Sequence, residues 1–269
     1  MRVVRGHVHG MLSPVAALVQ RHDPDRFLTA LFAPAATRET LFTLYAVNHE
    51  LARAREAVSQ PMLALIRLQW WREVAEGARR RHEVAGPLGE ALDAGTLDPG
   101  DILAMIDGRE AEAEPVETEA AFRAYVRATA GGVAVAAGRV LGADGPALDA
   151  LRNLGSAYGI AGILRSIPAL ARQGRCVLPE DLLHAAGLTL DDVVTAPEAV
   201  RLNDVRRRVG EIGEEWLVAG RRVLIPKRAI AAALPATLAR RDLRMGARSE
   251  RRGIGSRVAV TIAALTGRP

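Results

Sequence analysis

Apolar residues recur along most of this chain at three- and four-residue intervals, the spacing that lines up one face of an α-helix. Leu63, Ile66, Trp70 and Val74 form one such stripe, and Val205, Val209, Ile212 and Trp216 form another. No sustained alternation of apolar and polar positions argues for a sheet. Helix starts are marked by a capping residue and an early proline at Ser13-Pro14, Asp23-Pro24 and Asp98-Pro99. Thr189 with Asp192, and Thr195 with Glu198, have capping-box spacing. Pro179 followed by Glu180 and Asp181 predicts a further start, because the acids meet the positive end of the helix dipole. Gly86-Pro87, Gly142 to Pro146, and Pro235 punctuate the helices without a fixed period, which argues against a repeat solenoid. The pattern predicts one all-α domain over residues 23–269, behind an N-terminal segment, 1–22, expected to fray.

Composition sharpens this picture in a few places. At 269 residues the chain can bury a sizeable core, and 49% hydrophobic with 25% charged residues is ordinary for a folded domain. Aromatics are only 4%, which favours helices over sheets. The one cysteine, Cys176, removes any disulfide frame or cysteine metal site and fits a reducing compartment. No uninterrupted apolar run reaches the roughly 20 residues of a membrane-spanning helix. The net charge of +5 is almost wholly arginine, since Lys227 is the sole lysine. Near the C-terminus Arg240, Arg241, Arg244, Arg248, Arg251, Arg252 and Arg257 face only Asp242 and Glu250. That bias reads either as a plain exposed face or as a surface for anionic lipid or an acidic partner protein, and less as a nucleic-acid site, for which stacking aromatics are missing. Glu110, Glu112, Glu114, Glu117 and Glu119 read as a solvated loop leading into the helix of Phe122 and Tyr125. The histidines His7, His9, His22, His49, His82 and His184 lack the spacing of a metal-ligand pair on one helix.

One stretch carries a specific pattern. Leu164, Arg165, Gly174, Arg175, Leu178 and Pro179 form L-R-x8-G-R-x-x-L-P, the end of a long helix, a tight glycine turn and a new start. This pattern resembles the second signature of the squalene/phytoene synthase family. Earlier, Leu44-Tyr45-Ala46 resembles the lead-in to that family's first signature. The resemblance implies the isoprenoid (terpenoid) synthase fold, helices around a central cavity. It also implies acids on two helices that hold magnesium against a prenyl diphosphate, as carboxylates spaced at i and i+4 can. Here the first cluster reads Ala52, Arg53 and Glu56, and the second reads Ser166, Ala169 and Leu170. Glu50, the remaining nearby acid, falls on a different helix face from Glu56 at 100° per residue.

The loss of both clusters resembles one divergent branch of the family, the complex I assembly factors. Asn48, Glu50, Leu51 and Ala52 match that branch's N-x-E-L-A run, and Arg67, Gln69, Trp70 and Trp71 match its R-x-Q-[FW]-W run. The resemblance continues through Gly131-Gly132. It implies a non-catalytic protein that binds or assembles, with respiratory complex I subunits or assembly factors as partners. No metal and no cofactor is expected on this reading. The alternatives are an active magnesium-dependent head-to-head prenyltransferase, or a carrier that holds a prenyl diphosphate or lipid without turnover. Tyr45, Asn48, Arg165 and Arg175 are the candidate ligand-binding residues; equally, the two arginines can pair with acids on a neighbouring helix. Trp70 is expected in the core and Trp71 at a groove or partner surface. The expected location is the cytoplasm, peripheral at the inner membrane, or the mitochondrial matrix in a eukaryote.

Overall fold

The computed structural model describes residues 12–56, 60–246 and 252–269, the side chain of Glu56 excepted. Polar caps start the first helices as the sequence predicts. The Ser13 hydroxyl accepts from the Ala16 N–H at 3.1 Å and opens α1 (Pro14–His22). The Asp23 carboxylate accepts from the Arg26 N–H and opens α2 (Pro24–Ala30). Within α1, Val15, Ala16 and Val19 are buried and the helix packs on α3 (Ala35–Glu56), so this part of the segment expected to fray is ordered. The remaining helices are α4 (Pro61–Ala75), α5 (Ala85–Asp93), α6 (Pro99–Glu110), α7 (Glu119–Ala128), α8 (Ala130–Val140) and α9 (Gly145–Ala171). They continue with α10 (Glu180–Ala185), α11 (Leu190–Thr195), α12 (Asn203–Gly220), α13 (Ile230–Ala233), α14 (Pro235–Arg244) and α15 (Ile254–Thr266). The described residues contain no strand.

The Thr189–Asp192 capping box is formed at the start of α11, whereas Thr195 ends that helix instead of starting one. Pro197 accounts for the difference, since a proline disfavours helical backbone at the residue before it, here Ala196. Pro179 stands one position earlier than expected, as the residue capping α10 rather than its first turn.

The 27-residue α9 is the axis of the fold, packed by α7, α8, α11, α12, α13 and α14. By length and composition it could cross a membrane, yet Leu151, Leu154, Ile160 and Leu164 are buried in this helical assembly. Gly155 lets α8 come close: a Cβ there would stand 2.4 Å from the Ala134 Cβ and 2.8 Å from the Ala130 carbonyl oxygen. The stripe Val205, Val209, Ile212 and Trp216 is buried, as its spacing predicts.

The stripe read on α4 is not the buried one. Leu63 and Ile66 are exposed and Trp70 is half-buried, while Ala64, Leu68, Trp71, Val74 and Ala75 face the core. Trp71 is thus the more buried of the two, against expectation, while both line a groove of about 350 Å³ with His82. Trp71 is 4% exposed and meets the Trp70 and His82 rings edge-on. The cause is that α4 carries apolar residues on both sides, and small alanines mark the side that packs closely.

Candidate functional site

Helices α3 and α9 bring the two signature regions to one cavity of about 360 Å³. Ala52 from α3 and Ser166 and Leu170 from α9 line it, together with Asn48, Arg165 and Arg175. Tyr45 is buried under the Arg26 guanidinium, 5.7 Å from the ring centroid, rather than on the cavity wall. Arg53 points elsewhere: it is half exposed and pairs with Glu50 at 3.2 Å. Ala169 does not line the cavity, and the side chain of Glu56 lies outside the described residues.

A buried carboxylate organises one wall. Glu112 sits in the short turn Ala111–Ala113 after α6, its side chain only 6% exposed. Its Oε1 accepts from Arg109 at 2.6 Å and from the Tyr125 hydroxyl at 2.8 Å. Its Oε2 accepts from Arg175 at 2.8 Å. Burial alone would raise the Glu112 pKa, but Arg109, Tyr125 and Arg175 outweigh it and hold the carboxyl below its ordinary value. Arg109 also reaches Asn48 Oδ1 at 3.4 Å. The acidic run expected to be a solvated loop thus contributes its second member to the cavity wall. Arg109 three residues before Glu112 was the local signal for this.

Arg165 and Tyr158 on the cavity wall belong to a second network. Arg165 pairs with Asp242 of α14, which is 9% exposed. Arg252 bonds that same carboxylate and reaches Asp25 of α2 at 2.8 Å, where the Tyr158 hydroxyl also donates at 3.1 Å. Arg252 is therefore not part of an exposed basic face, and Asp242 is not a surface acid. Arg248, Arg251 and Glu250 lie outside the described residues, as do His7 and His9. Asp23 pairs with Arg26 at 2.8 Å, and the Arg26 guanidinium lies 5.0 Å from the Tyr158 ring centroid. His22 and His49, distant in sequence, stack with centroids 4.5 Å apart on the cavity wall. Burial, helped by His22, lowers the His49 pKa, which keeps that ring neutral.

Among the described residues the cavity lining does not fit the magnesium site that the signature implies. Hard divalent cations need several oxygen ligands. The cavity offers the carboxylates of Asp23 and Glu112, and arginine already engages both. Among the described residues no group of three or more His, Cys, Asp or Glu could hold an ion. What the cavity does offer is cationic donors: Arg26, Arg109, Arg165 and Arg175 against those two acids. Such an arrangement can bind and orient an anion, since guanidinium is a fixed fork of donors.

The squalene/phytoene synthase family pattern matches residues 19–263. A human protein named NADH dehydrogenase (ubiquinone) complex I, assembly factor 6 is 27% identical over 199 residues, 70% of this chain. The match spans 59% of that relative's own length. A 15-cis-phytoene synthase of Paracoccus sp. is 43% identical over 75 residues, 28% of this chain and 25% of the relative. Among solved structures, a dehydrosqualene synthase superposes with a TM-score of 0.76 over 94% of both chains at 16% identity, a likeness of fold.

Proposed function

The chain belongs to the squalene/phytoene synthase family, and from that premise we propose that it is a non-catalytic member acting in binding or assembly, with respiratory complex I as its client. The supporting observation is the cavity itself: Ala52, Ser166 and Leu170 occupy positions implied for metal ligands, and its acids are taken up by arginine. Ionising an allylic diphosphate requires metal-held negative charge to be stabilised as it develops, and this donor set does not supply the ligands. The likeness to the assembly factors supports the choice of client. On this reading the protein works at the cytoplasmic or matrix face of the inner membrane, in contact with complex I subunits or their assembly factors.

The test has two arms. Deleting the gene in the source organism should lower assembled complex I, seen on native gels and as NADH:quinone activity. Pull-down of the tagged protein should recover complex I components by mass spectrometry. Unchanged complex I in the deletion removes the assembly reading.

A second reading, a working prenyltransferase, is favoured by the 43% identity to the Paracoccus synthase over its short match. Incubation with farnesyl and geranylgeranyl diphosphate and magnesium should give no product. Sustained pyrophosphate release, abolished by Glu56→Gln, would establish the synthase instead. A carrier lies between the two. It requires farnesyl diphosphate to bind without turnover in the presence of a chelator, and Arg175→Ala to weaken that binding.

A further inference from the structure

The end of α12 and the last turns of α14 enclose a second groove, of about 420 Å³, outside the central cavity. Arg221 and Arg222 enter it from the end of α12, and Arg240 and Arg244 enter it from α14. Among the described residues Glu214 is the one acid on its walls. Leu217, Val218 and Leu243 supply an apolar strip beside the guanidinium groups, with Val218 56% exposed.

These arginines differ from the others that cluster in this protein. Arg165 and Arg252 are matched by Asp25 and Asp242, Arg109 and Arg175 by Glu112, and Arg123 and Arg208 by Glu119 and Glu215. Among the described residues none of Arg221, Arg222, Arg240 and Arg244 makes an ion pair or a side-chain hydrogen bond. Instead they act on one another: burial, then Arg221 and Arg244, lowers the Arg240 pKa. Helix dipoles favour a cation near each C-terminus, which accounts for one arginine per helix end. It does not account for four that converge on one groove with a single acid. Like charges held together without counter-ions oppose folding unless an anion joins them.

We propose that this groove is a binding site for a phosphate-bearing amphiphile, its phosphate held by the four arginines and its apolar part lying along Leu217, Val218 and Leu243. Phosphate suits the site because its oxygens accept bidentate bonds from guanidinium forks. The volume lies in the range of small-molecule sites, about 300–1,000 Å³. The phosphate can come from a phospholipid in a bilayer or from a soluble phosphate ester, and both present the same chemistry to the groove. The inference is independent of what the central cavity does.

The experiment uses the full chain and three probes: inorganic pyrophosphate, a soluble short-chain phosphatidic acid, and phosphatidylcholine vesicles with and without phosphatidylglycerol. Calorimetry reads the first two and flotation the third. Arg240→Gln with Arg244→Gln, and separately Arg221→Gln with Arg222→Gln, should each weaken binding by about tenfold or more, from lost charge-assisted bonds. Arg257→Gln, on exposed surface outside the groove, should leave it unchanged, and thermal melts verify that the variants fold. Binding of pyrophosphate and phosphatidic acid without vesicles identifies a soluble ligand, and binding of anionic vesicles without pyrophosphate identifies a lipid. The proposal is overturned if the parent protein binds none of the probes. It is equally overturned if the Arg240/Arg244 variant binds as tightly as the parent.

Discussion

Replacing Glu112 by glutamine keeps the size of the side chain and removes its charge. The native carboxylate accepts three bonds of 2.6 to 2.8 Å and is flanked by two guanidinium groups that are 15% and 9% exposed. In Glu112→Gln, one acceptor oxygen becomes an NH₂ donor pointed at arginine donors, and Arg109 and Arg175 lose their counter-charge together. Breaking a buried pair from one side costs about 3–5 kcal/mol, and the lower figure applies here because Arg109 and Arg175 are not fully buried. A loss of about 3 kcal/mol is a large share of a typical stability of about 5–15 kcal/mol. At about 2–4 °C per kcal/mol for a chain near this size, the melting temperature should fall by about 6–12 °C.

Two further measurements tie that loss to the pair. Because the Glu112 pKa is depressed in the folded state, its contribution is complete above the ordinary carboxyl value of about 4.3 and is lost as pH falls through the folded value. The gap between wild type and Glu112→Gln in urea unfolding should therefore be full at pH 7 and shrink in acid. Adding Arg175→Gln to Glu112→Gln removes one orphaned cation and should restore part of the loss, a coupling of about 0.5–3 kcal/mol. A loss below about 1 kcal/mol at pH 7, or a gap that does not change with pH, would refute the claim that this carboxylate holds the cavity wall together.

Other perturbations test the fold and its chemistry. Trp71→Ala should cost about 3–5 kcal/mol and Trp70→Ala clearly less by denaturant unfolding, since only Trp71 is fully packed. Gly155→Ala should cost about 1–3 kcal/mol, because its methyl must displace α8 at the Ala134 side chain and the Ala130 carbonyl. Burial pushes the Cys176 thiol up to about 11, so alkylation by iodoacetamide, followed by mass spectrometry, should be slow at pH 8 and rise steadily above it.

Much of the fold is legible because its signals are local. Capping side chains at Ser13, Asp23, Asp98 and Thr189 each bond a backbone N–H within three residues, so the sequence alone places those helix starts. The α12 stripe reads correctly because the rest of that helix is strongly polar. On α4 the same method picks the wrong face, since apolar residues lie on both sides and the packed side is told apart only by its partners. Of the signature positions, Ala52, Ser166 and Leu170 line one cavity, while Arg53 and Ala169 do not. Only part of the cavity's charge network is legible. Pairing of Arg165 and Arg175 with acids is one of the two roles their type allows, and Arg109 stands three residues before Glu112, but nothing local points to Arg175 as a partner 63 residues on or joins Arg252 to Asp25 across 227 residues. Long-range ion pairing leaves no periodic mark in a sequence.

Those distant pairs also explain how a cavity without clustered ligand acids among its described residues stays formed. Four arginines around it need counter-charge, and the chain supplies it from elements outside the two signatures: Asp23 beside α2, Glu112 after α6, and Asp242 on α14. The Asp23–Arg26 pair is local to the start of α2, and the other two join separate parts of the chain. Arg175, just past the α9 turn, fixes the end of α6; Arg165 fixes α14; and Arg252 carries the connection through Asp242 to Asp25 on α2. Counter-charges that belong to the helices themselves stabilise the same arginines whether or not a ligand is bound. That makes the network a set of cross-links between α2, α6, α9 and α14, and selection on shape alone would be enough to retain Arg165 and Arg175. The groove between α12 and α14 lies outside these cross-links: its arginines have no such counter-charges among the described residues, so an anion bound there should raise the melting temperature in proportion to the logarithm of its concentration above its dissociation constant.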